Sequence, residues 1–189
     1  MNIANKLTLF RIILVPVFIA FFYIPIPYWN YYAALVFIIA SLTDLFDGRL
    51  ARKHNMVTNF GKLIDPIADK LLVCSALIML TAKPEPDAWV NEILVIIMVG
   101  REFVISGLRL LAAAEGKVLA ADMFGKAKTV VQIVAIVTVM LQAGVFVGTF
   151  FEQVLNIGGF VLMCIATVLS VLSCISYFVK NKDILKELV

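Results

Sequence analysis

The 189-residue chain is 62% hydrophobic, carries 15% charged residues and has a mean hydropathy of +1.01. Ordinary globular domains are nearer ~45–50% apolar, so the composition excludes a water-soluble enzyme domain and points to a membrane protein, expected as a single domain over residues 1–189. A net charge of +3 leaves no nucleic-acid footprint, and the three cysteines, Cys74, Cys164 and Cys174, all sit in apolar stretches and offer no disulfide framework.

In chain order, the first apolar segment covers residues 8–24 and follows Lys6. It superficially resembles a signal peptide, but no small-residue cleavage site follows, and Ile24-Pro25-Ile26-Pro27-Tyr28-Trp29 reads as an interfacial turn, so the segment is expected to be a retained span. Further spans are predicted over 31–50 and 61–81, with Asn30 and Asn59 as caps, and over 89–110 after a turn at Pro84 and Pro86. The fifth covers 125–147, opening at Gly125-Lys126 and loosened toward Gly144 and Gly148, and the sixth covers 154–179. Segments of about 20 apolar residues suffice to cross the hydrocarbon core. The expected fold is therefore an all-α integral membrane bundle of six transmembrane helices. Gly144 and Gly148 also have the spacing of a small-residue helix contact.

Lysine and arginine set the orientation. Lys6, Arg11, Arg49, Arg52, Lys53, Lys62, Arg109, Lys117, Lys126, Lys128, Lys180, Lys182 and Lys186 fall on one side; the other has Lys83 with Glu85, Asp87 and Glu152. By the positive-inside rule, both termini are expected in the cytoplasm. The cytoplasmic ends of the second and third spans then carry Asp44, Asp47, Asp65 and Asp69.

Ionised carboxylates at membrane depth are expensive, and a cluster of them is by default functional. At about 100° per residue, Asp44, Asp47, Gly48 and Ala51 share one third of a helix circumference, while Gly61, Asp65 and Asp69 drift only about 40° per step. Two neighbouring helices can thus turn four carboxylates toward one pocket, where hard divalent cations relieve their mutual repulsion. Two Mg²⁺ ions held this way suit a phosphoryl displacement, and a correctly placed aspartate can serve as its general base. Gly48 and Gly61 permit close approach of a nucleotide or backbone, and Arg52 can meet a phosphate with its planar fork. Arg101, Arg109, Lys117, Lys126 and Lys128 add five cations on the same side, which suits an anionic second substrate. A divalent-cation transporter also uses intramembrane acids, but it calls for polar residues along a path through the midplane, and here the acids gather at one face.

The run from Asp44 to Asp69 resembles, at every defining position, the signature D-x-x-D-G-x-x-A-R-x8-G-x3-D-x3-D of the CDP-alcohol phosphatidyltransferases. The resemblance implies transfer of a phosphatidyl group from CDP-diacylglycerol to an alcohol with release of CMP. It implies a two-metal site of Mg²⁺ or Mn²⁺ on Asp44, Asp47, Asp65 and Asp69, with Asp69 as the base. It also places Gly48, Arg52 and Gly61 around the cytidine diphosphate. Asn5-Lys-Leu-Thr8-Leu-Phe-Arg11, Arg101 to Arg109, and Gly125-Lys126-Ala-Lys128-Thr129 are similar to the branch that uses sn-glycerol 3-phosphate. That likeness implies contacts of Asn5, Thr8 and Arg11 with the CDP-lipid. It implies an acceptor-phosphate site of Arg101, Arg109, Lys126 and Lys128, with phosphatidylglycerol phosphate as the product. Branches using phosphatidylglycerol, inositol phosphate or serine share the catalytic core and remain alternatives. A homodimer in the bilayer is expected by the same analogy.

Overall fold

Six helices follow one another, with no strand among the described residues: α1 (Ile3–Phe21), α2 (Trp29–Lys53), α3 (Asn59–Ala82), α4 (Glu92–Ala114), α5 (Met123–Gln142) and α6 (Phe150–Lys180). The computed structural model describes residues 3–53, 59–82, 90–116, 123–142 and 148–182; within these, the side chains of 3–6, 44–53, 59–66 and 69 fall outside the description. Each segment expected from the sequence is helical, and the boundaries shift for local reasons.

α1 ends at Phe21 because the chain then turns through Pro25 and Pro27, which cannot donate backbone hydrogen bonds, and through Tyr28 at a left-handed φ of 58°. Asn30, expected as a cap, instead lies inside α2, and its buried amide donates to the Met140 carbonyl of α5 at 2.8 Å. α4 has a cap that the sequence reading did not single out: Asn91 accepts from the Ile93 N–H at 2.8 Å, with Glu92 in the first turn. α5 is described as far as Gln142, and residues 143–147 of the expected span lie outside the described residues. Gly148, at φ +77°, turns the chain toward α6 in a conformation that glycine adopts without strain. It therefore lies in a connection rather than on a helix face, and Gly144 lies outside the described residues, so this pair does not act as a described helix contact. The Gly148 N–H donates to Glu152 at 2.6 Å, closing the first turn of α6 behind Thr149.

One core joins every helix. Phe18 of α1, Phe37 of α2, Leu77 of α3, Met98 of α4, Ile136 of α5 and Met163 of α6 are all completely buried in it. Phe18 packs edge-on against Phe22 at 5.2 Å and lies 6.0 Å from Phe37, which holds the α1–α2 hairpin together. α5 and α6 form the most extensive pairing among the described residues, and at Gly159 a Cβ would lie 3.0 Å from Val139 Cγ2. α1 packs on α2 and α3, α2 also meets α5, and α4 bridges α3 and α6.

The polarity of the bundle is inverted relative to a protein in water. Thr8, Arg11, Asn30, Glu102, Lys128, Gln132, Ser170 and Ser173 are buried, while Ile13, Leu35, Ile96, Phe103 and Val168 face outward. Such broad exposed apolar surface is the mark of a lipid-facing exterior. α5 and α6 are long and apolar enough to cross a membrane. Among the described residues, shorter apolar stretches run over Leu7–Phe21, Trp29–Thr43 and Lys70–Ala82 of the first three helices.

Candidate functional site

α2 carries Asp44, Asp47, Gly48 and Arg52 in its last three turns, and α3 carries Gly61, Asp65 and Asp69 in its first three. The two helices are in contact, and both halves of the signature are helical. The side chains of these residues lie outside the description, and among the described residues no group of three or more His, Cys, Asp or Glu gathers elsewhere. Aspartates are hard-oxygen donors, so a set of four would fit Mg²⁺ or Mn²⁺ rather than a metal that prefers thiolate or imidazole.

α1 lies against both helices and presents Thr8 and Arg11 inward, at 2% and 1% exposure. Three residues apart, they share one face of α1. Thr8 is not a helix cap, because α1 begins five residues earlier, at Ile3. Asn5 is helical, and its side chain lies outside the description. A fully buried arginine in an apolar helix is costly unless its charge is met.

The basic residues expected around the second substrate divide into two groups. Arg101 and Lys128 come together on Glu102: Arg101 Nη1 donates to Oε1 at 3.1 Å, and Lys128 Nζ donates to the same oxygen. Lys70 of α3 donates to Oε2 at 2.8 Å. Arg101 Nη2 reaches across to Ser173 Oγ of α6, so a single carboxylate on α4 ties four helices into one polar centre. Glu102 is 8% exposed and Lys128 1%. Arg109 stands apart: exposed two turns further along α4, its guanidinium lies 5.5 Å from the ring centroid of buried Tyr177. Lys126 is also exposed, and Lys117 lies outside the described residues.

Three members of this centre were not among the expected site residues. Glu102 was legible only as an acid beside Arg101 with a basic partner to find. Lys70 was signalled by being a cation directly after Asp69 in an otherwise apolar stretch. Ser173, in a run of small and apolar residues, gave no sequence signal. Among the described residues the centre holds three cations against one carboxylate, an arrangement that can receive an anion.

Comparison with known proteins gives the family. The CDP-alcohol phosphatidyltransferase family pattern matches residues 1–179. A Bacillus subtilis (strain 168) protein named CDP-diacylglycerol–glycerol-3-phosphate 3-phosphatidyltransferase is 42% identical, over 98% of this chain and 97% of its own length. Proteins of the same name from Rickettsia bellii (strain RML369-C) and Escherichia coli (strain K12) are 40% and 38% identical, covering 94% and 93% of this chain. The chain belongs to the CDP-alcohol phosphatidyltransferase family.

Proposed function

We propose that the protein transfers the phosphatidyl group of CDP-diacylglycerol to sn-glycerol 3-phosphate, forming phosphatidylglycerol phosphate and CMP in phospholipid biosynthesis. One observation supports this acceptor over a neutral alcohol: the excess of cations around Glu102 is anchored to α3 by Lys70, the residue next to Asp69. The names of relatives that match nearly the whole chain point the same way.

CDP-diacylglycerol enters from the bilayer, with its acyl chains in lipid and its head group between α1, α2 and α3. Asn5, Thr8, Arg11, Gly48, Arg52 and Gly61 hold the cytidine diphosphate and lipid phosphate. Asp44, Asp47, Asp65 and Asp69 hold two divalent cations, Mg²⁺ or Mn²⁺, which neutralise charge on the pyrophosphate when bound. Asp69 takes the proton of the glycerol 3-phosphate 1-hydroxyl. That oxygen forms a bond to the phosphorus bearing diacylglycerol, while the bond from this phosphorus to the bridging oxygen breaks and CMP leaves with the electron pair. Arg101, Arg109, Lys126 and Lys128 position the acceptor phosphate through charge-assisted hydrogen bonds.

In this reading residues 1–189 act as one domain of six transmembrane helices in the cell membrane. Both termini and the active site face the cytoplasm, where lysine and arginine concentrate, and the enzyme works as a homodimer. The deciding assay supplies purified protein with CDP-diacylglycerol and a panel of acceptors. CMP release with glycerol 3-phosphate supports the proposal; preference for phosphatidylglycerol, inositol phosphate or serine overturns it.

A further inference from the structure

Glu102 offers two oxygens to three cations from three helices, and Arg101 extends the set to Ser173. Ionised groups inside an apolar bundle are costly unless each is met. If the task were only to staple α4 to its neighbours, one cation on the carboxylate would suffice. Two further positive charges remain among the described residues, and each adds repulsion to the others. Arg101 Nε is buried with no hydrogen-bond partner among the described residues. Beside it, Gly125 brings bare backbone close to the guanidinium: a Cβ there would sit in contact, 3.5 Å from Arg101 Nη2 and 3.4 Å from Ser173 Oγ. Excess charge, an unused donor and a position without a side chain meet at one place.

We infer that Glu102 is the positioning residue of the acceptor subsite, and that Lys70 and Ser173 belong to that subsite with Arg101 and Lys128. The inference rests on the acceptor reading given above and extends it. Lysine ammonium groups are point charges on flexible stems, and like charges crowded together spread apart. The central carboxylate keeps Lys70 and Lys128 from spreading and turns Arg101 so that its other edge faces Ser173. Glu102 itself repels phosphate and acts only through the cations it gathers. Among the described residues the residual charge, three positive against one negative, matches a phosphomonoester dianion and leaves a neutral acceptor with nothing to balance it.

The test uses the full-length protein in mixed micelles, with CMP release measured while each substrate is varied in turn. Glu102→Gln keeps the size and removes the charge. It should raise the KM for glycerol 3-phosphate about tenfold or more and leave the KM for CDP-diacylglycerol within about twofold. Combined with Lys128→Met, it should add little beyond the worse single variant, because both act on the same contacts. Gly125→Ala, which places a methyl in van der Waals contact with Arg101 Nη2 and Ser173 Oγ, should raise the same KM without unfolding the protein. A fall in kcat with an unchanged acceptor KM overturns the inference, as do effects that multiply in the double variant. If Glu102→Gln does not fold, Lys70→Met and Gly125→Ala decide the matter: an unchanged acceptor KM in both overturns it. Wild-type protein that cannot use glycerol 3-phosphate overturns the functional reading and this inference together, whereas active wild type with unselective variants overturns the inference alone.

Discussion

Lys128→Met removes one charge from the polar centre while keeping an unbranched stem of similar length, and its effects on stability and on catalysis should separate. Lys128 is almost completely buried, so the change is made where water cannot compensate. Breaking a buried ion pair costs about 3–5 kcal/mol when it strands the partner's charge. Here Glu102 keeps Lys70 at 2.8 Å and Arg101 at 3.1 Å, so the carboxylate stays paired. The variant also no longer has to desolvate an ammonium group, so folding should lose no more than about 2 kcal/mol. The acceptor phosphate loses one charge-assisted hydrogen bond, worth about 1.5–3 kcal/mol. At about 1.4 kcal/mol per factor of ten, the KM for glycerol 3-phosphate should rise by about tenfold to a hundredfold. CMP release in mixed micelles measures this, with CDP-diacylglycerol saturating in one series and glycerol 3-phosphate in the other. If the acceptor KM stays within twofold while the lipid KM moves, Lys128 serves the CDP-lipid and the assignment is wrong.

Other perturbations follow from the same structure. Arg109→Ala should raise the acceptor KM less than Lys128→Met does, because Arg109 is exposed and held against Tyr177 by a cation–π contact worth only about 0.5–1 kcal/mol at such sites; an equal or larger effect would place Arg109, rather than Lys128, on the phosphate. Asp69→Asn should lower CMP release by about a hundredfold or more as the base is lost, and full activity would remove Asp69 from that role. Chelation should abolish turnover and either Mg²⁺ or Mn²⁺ should restore it; activity that persists in chelator contradicts the carboxylate assignment. Gly159→Leu should destabilise the α5–α6 pairing by about 1–3 kcal/mol, because its side chain must displace Val139, whose backbone nitrogen also lies 3.7 Å from the added Cβ. Thermal unfolding in detergent reads that change, and an unaltered midpoint would mean the helices part without penalty.

The aspartate signature was legible because its information is local: spacings of three and four residues on regular helices survive whatever the rest of the chain does. The α2 and α3 helices that carry it, and the contact between them, followed from hydropathy and chain order. Helix ends were less legible where backbone conformation decided them, as at Tyr28 and Gly148 with their positive φ angles. Asn30 misled because asparagine caps helices well in isolation; in the fold its amide satisfies the Met140 carbonyl, 110 residues away. The polar centre was half-visible for the same reason. Arg101 and Lys128 announced themselves as cations in apolar surroundings, but Lys70 and Ser173 lie 32 and 72 residues from the α4 groups they meet. No periodicity in one helix encodes such pairings. They exist only once four helices pack, and the bundle's inverted polarity then makes a buried charge stand out.

The acceptor assay on purified wild-type protein tests the central claim most directly, with CDP-diacylglycerol supplied alongside glycerol 3-phosphate, glycerol, serine, inositol phosphate or phosphatidylglycerol. CMP release with glycerol 3-phosphate should depend on a divalent cation and yield phosphatidylglycerol phosphate, with little release from the neutral or zwitterionic acceptors. Faster release with any other acceptor, or none with glycerol 3-phosphate, would contradict the claim.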